Sequence, residues 1–174
     1  MGTLKEIVRK VSLKRCRSRV PTGIMALKDI RSAAVLMDAR KEDCEQCKNA
    51  VLDFYHRNGI AGEIYYFDLR DIEKGERLFT AVGTTVLKRD LNWYGKPSPS
   101  IVSTLKARSS DLLISLIDSS DFTLDYLVSS AEARFKIGRK ELGDNVFDIV
   151  LNGTDALGQY EVFERVKDLL SKIQ

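Results

Sequence analysis

The sequence predicts an α/β protein: a three-layer, Rossmann-like sandwich built on a mostly parallel sheet of about six strands. Three observations carry that prediction. Short apolar runs of strand length alternate with stretches of helical periodicity. Most connections between those runs are long enough for a helical crossover, which a parallel sheet requires. The chain has 174 residues, 44% hydrophobic and 30% charged, with three prolines, which fits one ordinary globular domain and excludes disordered or collagen-like classes.

Leu4, Ile7, Val8 and Val11 fall at i, i+3, i+4 and i+7, so the chain opens with a short amphipathic helix, ended by Pro21 and Gly23. Residues 1–22 form this basic leading segment, and 23–174 form a single Rossmann-like domain. Ala33 to Asp38 is a strand-length run, apolar up to its closing Asp38, as expected of a strand covered on both faces. Asp43 to Asn58 has helical spacing and stops at Gly59. Glu63 to Asp68 is a second strand, rich in aromatic residues, and Asp71 to Phe79 is a short helix. Thr84 to Lys88 is a third strand. Leu91 to Ser100 is a proline-containing loop whose Ser98 or Ser100 caps a helix running to about Arg108. Asp111 to Asp118 is the central strand, and a helix follows from Phe122 to Ala131 behind an Asp121 cap. Arg134 to Ile137 and Val146 to Leu151 are two further strands. The connection between them carries turn residues and is too short for a helical crossover, which predicts an antiparallel pair at the sheet edge. Gln159 to Ile173 is the last helix, with Val162, Val166, Leu169, Leu170 and Ile173 on its stripe.

The net charge of +3 hides an asymmetry: residues 1–31 hold nine Lys or Arg against Glu6 and Asp29, and the remainder is mildly acidic. Residues 3–19 therefore suit an anionic membrane surface or a nucleic acid. The plainer alternative is a helix that docks on its own domain, or on a second copy, with its charges in water. No apolar run approaches the ~18 residues of a membrane span, and no secretory signal is legible. Three cysteines cannot close a disulfide framework, so the expected location is the cytoplasm.

Two constellations could carry chemistry. Cys44 and Cys47 form a C-x-x-C at a helix start after the first strand, where thioredoxin-like proteins keep a dithiol. Asp43 and Glu45 beside them raise a thiol pKa, and Cys44, Cys47, Val51, Phe54 and Tyr55 also read as one core stripe. The second constellation is three strand-end aspartates, Asp38, Asp68 and Asp118, with Arg40, Lys41, Ser119 and Ser120 beside them. In open α/β sheets ligands bind beyond the carboxyl ends of strands. Carboxylates converging there could hold Mg²⁺ and a phosphate, or they could simply cap the following helices. Trp93 and Tyr94 in the proline loop are the one aromatic surface feature, which could stack on a ligand or partner or cover the core edge. Cys16 and His56 fall at no zinc-finger spacing, and there is no glycine-rich phosphate loop, so neither metal nor cofactor is assigned.

The runs DLNWYGKP (Asp90 to Pro97), DLLISLI (Asp111 to Ile117), FTLDYLVSSAEARFKIG (Phe122 to Gly138) and FDIVLN (Phe147 to Asn152) resemble a family of small bacterial proteins known only as a domain of unknown function. The resemblance spans most of the chain and brings no activity or site residues with it. Asp111-Leu112, Ala131 and Lys136-Ile137-Gly138 are more distantly similar to the N-terminal half of heptosyltransferases. That likeness implies a Rossmann-like half-domain without the second, nucleotide-sugar domain those enzymes need. The function expected is a non-catalytic module that binds a small anionic ligand or a protein partner. Thiol–disulfide exchange through Cys44 and Cys47 is the enzymatic alternative.

Overall fold

A computed structural model describes residues 2–73, 75, 76, 80, 82–108 and 110–174. Six strands form one sheet in the order β3-β2-β1-β4-β5-β6, and every neighbouring pair is parallel. They are β1 (Ser32–Asp38), β2 (Ala61–Asp68), β3 (Thr85–Leu87), β4 (Leu112–Ser115), β5 (Phe135–Gly138) and β6 (Ile149–Val150). Helices α2 (Cys44–Asn58) and α5 (Gln159–Lys172) cover one face, and α3 (Pro99–Ala107) and α4 (Phe122–Ser130) the other.

Each face follows from the pleat. On β1, Ala33, Val35 and Met37 join the cluster beneath α2 and α5, while Ala34 and Leu36 join the one beneath α3 and α4. Helix α2 contributes Cys47, Val51, Phe54 and Tyr55 and ends where Gly59 takes φ 62°, the left-handed C-cap. Helix α4 starts at Asp121, whose Oδ1 accepts the Leu124 N–H at 2.9 Å. Ser98 stands at the start of α3 without a side-chain cap bond, and Pro99 supplies the first helical position. Asp71 to Glu73 are not helical, and most of the rest of the expected short helix to Phe79 lies outside the described residues.

The expected antiparallel edge is overturned: β6 runs parallel to β5. Strand β5 has only four residues, about 13 Å of chain, so the ten residues from Arg139 to Asp148 can return along it without a helix. They cross the α3/α4 face, where Leu142 and Phe147 are buried. Gly138 makes room, because a Cβ there would overlap the Phe147 ring. Within this crossover Asp144 and Asn145 take φ 62° and 51°, left-handed values unusual for side-chain-bearing residues.

Helix α1 (Leu4–Cys16) lies against α4, capped by Thr3 and Glu6 in a capping box. Its inward face is not the apolar stripe read from the sequence. Arg9 donates from Nε to the Tyr94 carbonyl at 2.7 Å and stands over the Phe122 ring, while Leu4, Ile7 and Val11 remain 70%, 54% and 44% exposed. Among the described residues no helix is long and apolar enough to cross a membrane.

Candidate functional site

The sheet order reverses between β1 and β4, so the loops that follow those strands leave in opposite directions. A crevice at such a point is where open α/β sheets bind ligands. An open cleft of about 670 Å³ lies there, lined by Lys41, Glu42 and Asp43 after β1, Asp118 after β4, and Asp155 to Gly158 before α5. Gln46, Tyr160 and Glu161 complete it, and these residues include no Ser, Thr, Cys or His.

The three strand-end aspartates gather at this edge, and each meets a cation. Asp38 is buried and receives Arg40 through Nε at 3.0 Å, Nη2 at 2.8 Å and the main-chain N–H at 2.9 Å. Asp68 is equally buried and receives Arg70 through Nε at 2.7 Å and Nη2 at 2.8 Å. Two neighbouring strands thus end in the same Asp-x-Arg clasp, bidentate in both. Hydrogen bonds from Arg70 hold the Asp68 carboxyl below its ordinary range, and those to Asp38 raise the Arg40 guanidinium, which also feels Asp68 and Asp118. Asp118 pairs with Lys41 at 3.4 Å. These carboxylates are therefore not helix caps, which corrects one expectation. Among the described residues no three His, Cys, Asp or Glu side chains are placed to hold a metal ion.

Of the three loops, the one after β4 supplies a side-chain cap to the helix that follows, whereas α2 starts at Asp43 without one. Asp121 caps α4 and accepts the Ser119 hydroxyl at 3.2 Å; Ser120 is exposed beside it. Asp71 does not cap but accepts Lys88 Nζ at 2.7 Å. At the α5 start, Asp43 accepts the Tyr160 N–H at 2.8 Å and Glu161 that of Gly158 at 3.0 Å. Glu42 and Asp155 line the cleft without a hydrogen bond or ion pair among the described residues. Trp93 is 64% exposed and stacks edge-on with Tyr94, away from the residues that line the cleft.

A family model described as a family of unknown function (DUF6913) matches residues 3–173. The chain belongs to that family. This agrees with the resemblance to an uncharacterised domain. No curated protein and no solved structure matches the chain, so the likeness to heptosyltransferases rests on the quoted residues alone.

Several residues that shape the cleft escaped the sequence reading. Gln159 clamps the end of β1, and Arg139 is buried with its guanidinium donating to the carbonyls of Leu116, Thr154 and Leu157. It thereby ties the 154–157 loop to the end of β4, and its Nε has no partner among the described residues. The visible signal was Asn152 to Gly158, a turn-rich stretch between a strand and a helix.

The cysteines stand at the opening turn of α2. Cys47 is fully buried and Cys44 half-buried, and both are free thiols. Burial first, then Glu45 and Asp43, pushes the Cys44 thiol up to about 11; burial and Asp43 push Cys47 up to about 12. At neutral pH both are protonated, the opposite of an exchange-active pair.

Proposed function

We propose that this domain is a non-catalytic binding module whose ligand occupies the switch-point cleft. The observation that carries the reading is the place of the cleft: it opens where the loops after β1 and β4 part, and among the described residues Glu42 and Asp155 on its wall have no partner. The lining turns the choice of ligand away from a bare anion. Lys41 stands against Glu42, Asp43, Asp118, Asp155 and Glu161, and the two acids nearest a free state are Glu42 and Asp155. A small molecule presenting an ammonium group or several hydroxyl donors fits that wall. Arg40 and Arg70 are already held by Asp38 and Asp68, which weakens any phosphate contact through them.

Calorimetry with spermidine, putrescine, inorganic phosphate and ATP tests the assignment. Amine binding that falls at least tenfold in the Glu42→Gln, Asp155→Asn double variant supports it. Heat from phosphate or ATP alone, or from none of the four, overturns it.

A second reading rests on α1. Its exposed Leu4, Ile7 and Val11 have Lys10, Lys14 and Arg15 alongside, and Trp93 stands next to Tyr94, which Ser12 and Arg9 hold. We infer that this face lies on an anionic bilayer. Co-sedimentation with phosphatidylglycerol vesicles, lost in Ile7→Asp and weakened by salt, is the expected result. Equal binding to phosphatidylcholine, or binding to single-stranded nucleic acid in its place, removes the lipid assignment.

A further inference from the structure

The pleat of β5 sends Phe135 and Ile137 into the core beneath α2 and α5, so Lys136 must point to the opposite face, where neighbouring strands place apolar residues. It is 4% exposed. Its Nζ donates to the Val128 carbonyl at 2.7 Å, and this is its single side-chain hydrogen bond among the described residues, with no carboxylate in ion-pair contact. Two of its three N–H donors are therefore unused.

The nearest acid is already committed. Asp148 accepts the Lys136 main-chain N–H through Oδ2 and the Thr22 hydroxyl through Oδ1, both at 2.8 Å. The other titratable groups near the amine are Arg17 from the segment after α1, Asp144 from the crossover and the neutral Cys16 thiol, while Asp125 of α4 is tied to Ser129. A buried cation in this setting is costly unless an anion joins it. Burial pulls its pKa down to about 8.

Lys136 lines a cavity of about 170 Å³ together with Arg17, Ser18, Ser129 and Asn145. The segment after α1 forms its roof: Ser18 N–H donates to the Ser129 carbonyl at 2.8 Å and Gly23 N–H to that of Arg134 at 2.9 Å. Further donors face in. Arg17 is engaged by Asp144 through Nη2, the Ser18 hydroxyl accepts the Val20 N–H, and among the described residues neither the Ser18 hydroxyl proton nor the Asn145 amide has a partner. Asp144 and Asn145 hold their places in consecutive left-handed conformations, the kind of backbone cost that concentrates at ligand sites.

We propose that this cavity is a site for one small oxyanion, with Lys136 as its buried charge and Arg17, Ser18 and Asn145 completing the donor set. Its size suits a sulfate, a phosphate or a short carboxylate. It is separate from the switch-point cleft and shares no lining residue with it.

The test is calorimetric titration of the full chain with sulfate, phosphate and acetate at matched ionic strength, using sodium chloride as the reference. Sulfate keeps its charge across the range and is the probe for pH. One ion per chain is expected, bound at least tenfold more weakly at pH 9.5 than at pH 7, with proton uptake on binding near pH 8. Lys136→Met, which places an apolar chain on an apolar face, should abolish binding without unfolding the protein. Arg17→Gln should weaken it several-fold, and acetate against sulfate tells a planar from a tetrahedral preference. Binding no stronger than chloride, an affinity indifferent to pH, or a Lys136→Met protein that binds as well as the parent overturns the proposal.

Discussion

Gln159, the first residue of α5, holds Asp38 by its main chain: Oε1 accepts the Asp38 N–H at 3.1 Å and Nε2 donates to the Asp38 carbonyl at 2.9 Å. The amide thereby acts as one more rung at the last residue of β1 and fixes α5 to the edge that bears the cleft. Both groups are buried, so an apolar replacement strands them. Gln159→Leu is expected to lower stability by about 2–4 kcal/mol. Urea unfolding measures it, and a loss below about 1 kcal/mol would mean that the two groups find other partners.

The Asp68–Arg70 clasp gives stability a defined pH dependence. Arg70 lowers the Asp68 pKa below its unfolded value, so the unfolded chain binds that proton more readily. The contribution is complete above about pH 4–5 and disappears as pH falls through the folded-state value. Arg70→Met should therefore unfold more easily than the parent at pH 7, with the gap closing on acidification. Chemical denaturation at pH 7, 5 and 3 checks the trend; a gap that widens towards pH 3 contradicts it.

Thiol chemistry offers a direct reading of the α2 start. With Cys44 near 11 and Cys47 near 12, an aromatic disulfide reagent should react slowly at pH 7.5 in the native protein. Reaction should speed up with pH for Cys44, whereas Cys47 should stay silent until the protein unfolds. Rapid labelling of both at pH 7.5 would revive a redox role for the pair.

Gly138→Ala tests the parallel edge. The added methyl overlaps the Phe147 ring, and the crossover from β5 to β6 must shift. A cost of about 1–3 kcal/mol is expected, recovered in part when Phe147→Leu is added. Additive losses would place Phe147 elsewhere.

How much of this was legible in advance varies with the physics behind each element. The apolar run at Ala33 to Asp38, the Gly59 stop and the Asp121 cap all encode local rules, and each stands where those rules put it. Strand β6 was misjudged because only Ile149 and Val150 pair, and because a crossover that uses Leu142 and Phe147 instead of a helix has no periodic signature. That Asp38 and Asp68 close their strands was legible, although Asp118 lies three residues beyond β4. Their neutralisation by Arg40, Arg70 and Lys41 was not, since a bidentate clasp two residues on depends on side-chain direction. Lys136 was hidden for a related reason: a lysine inside a strand reads as solvent-facing until the α4 end and the segment after α1 are seen to cover it.

The order of the sheet also governs how the molecule must assemble. No two adjoining strands are joined by a hairpin, and β1, at the centre, needs one partner from the stretch just after it and another, β4, synthesised much later. Contacts so distant along the chain make for slow acquisition of structure. The β1–α2–β2 unit is the natural early kernel, and until β4 arrives its open flank remains the surface by which two nascent copies would stick together.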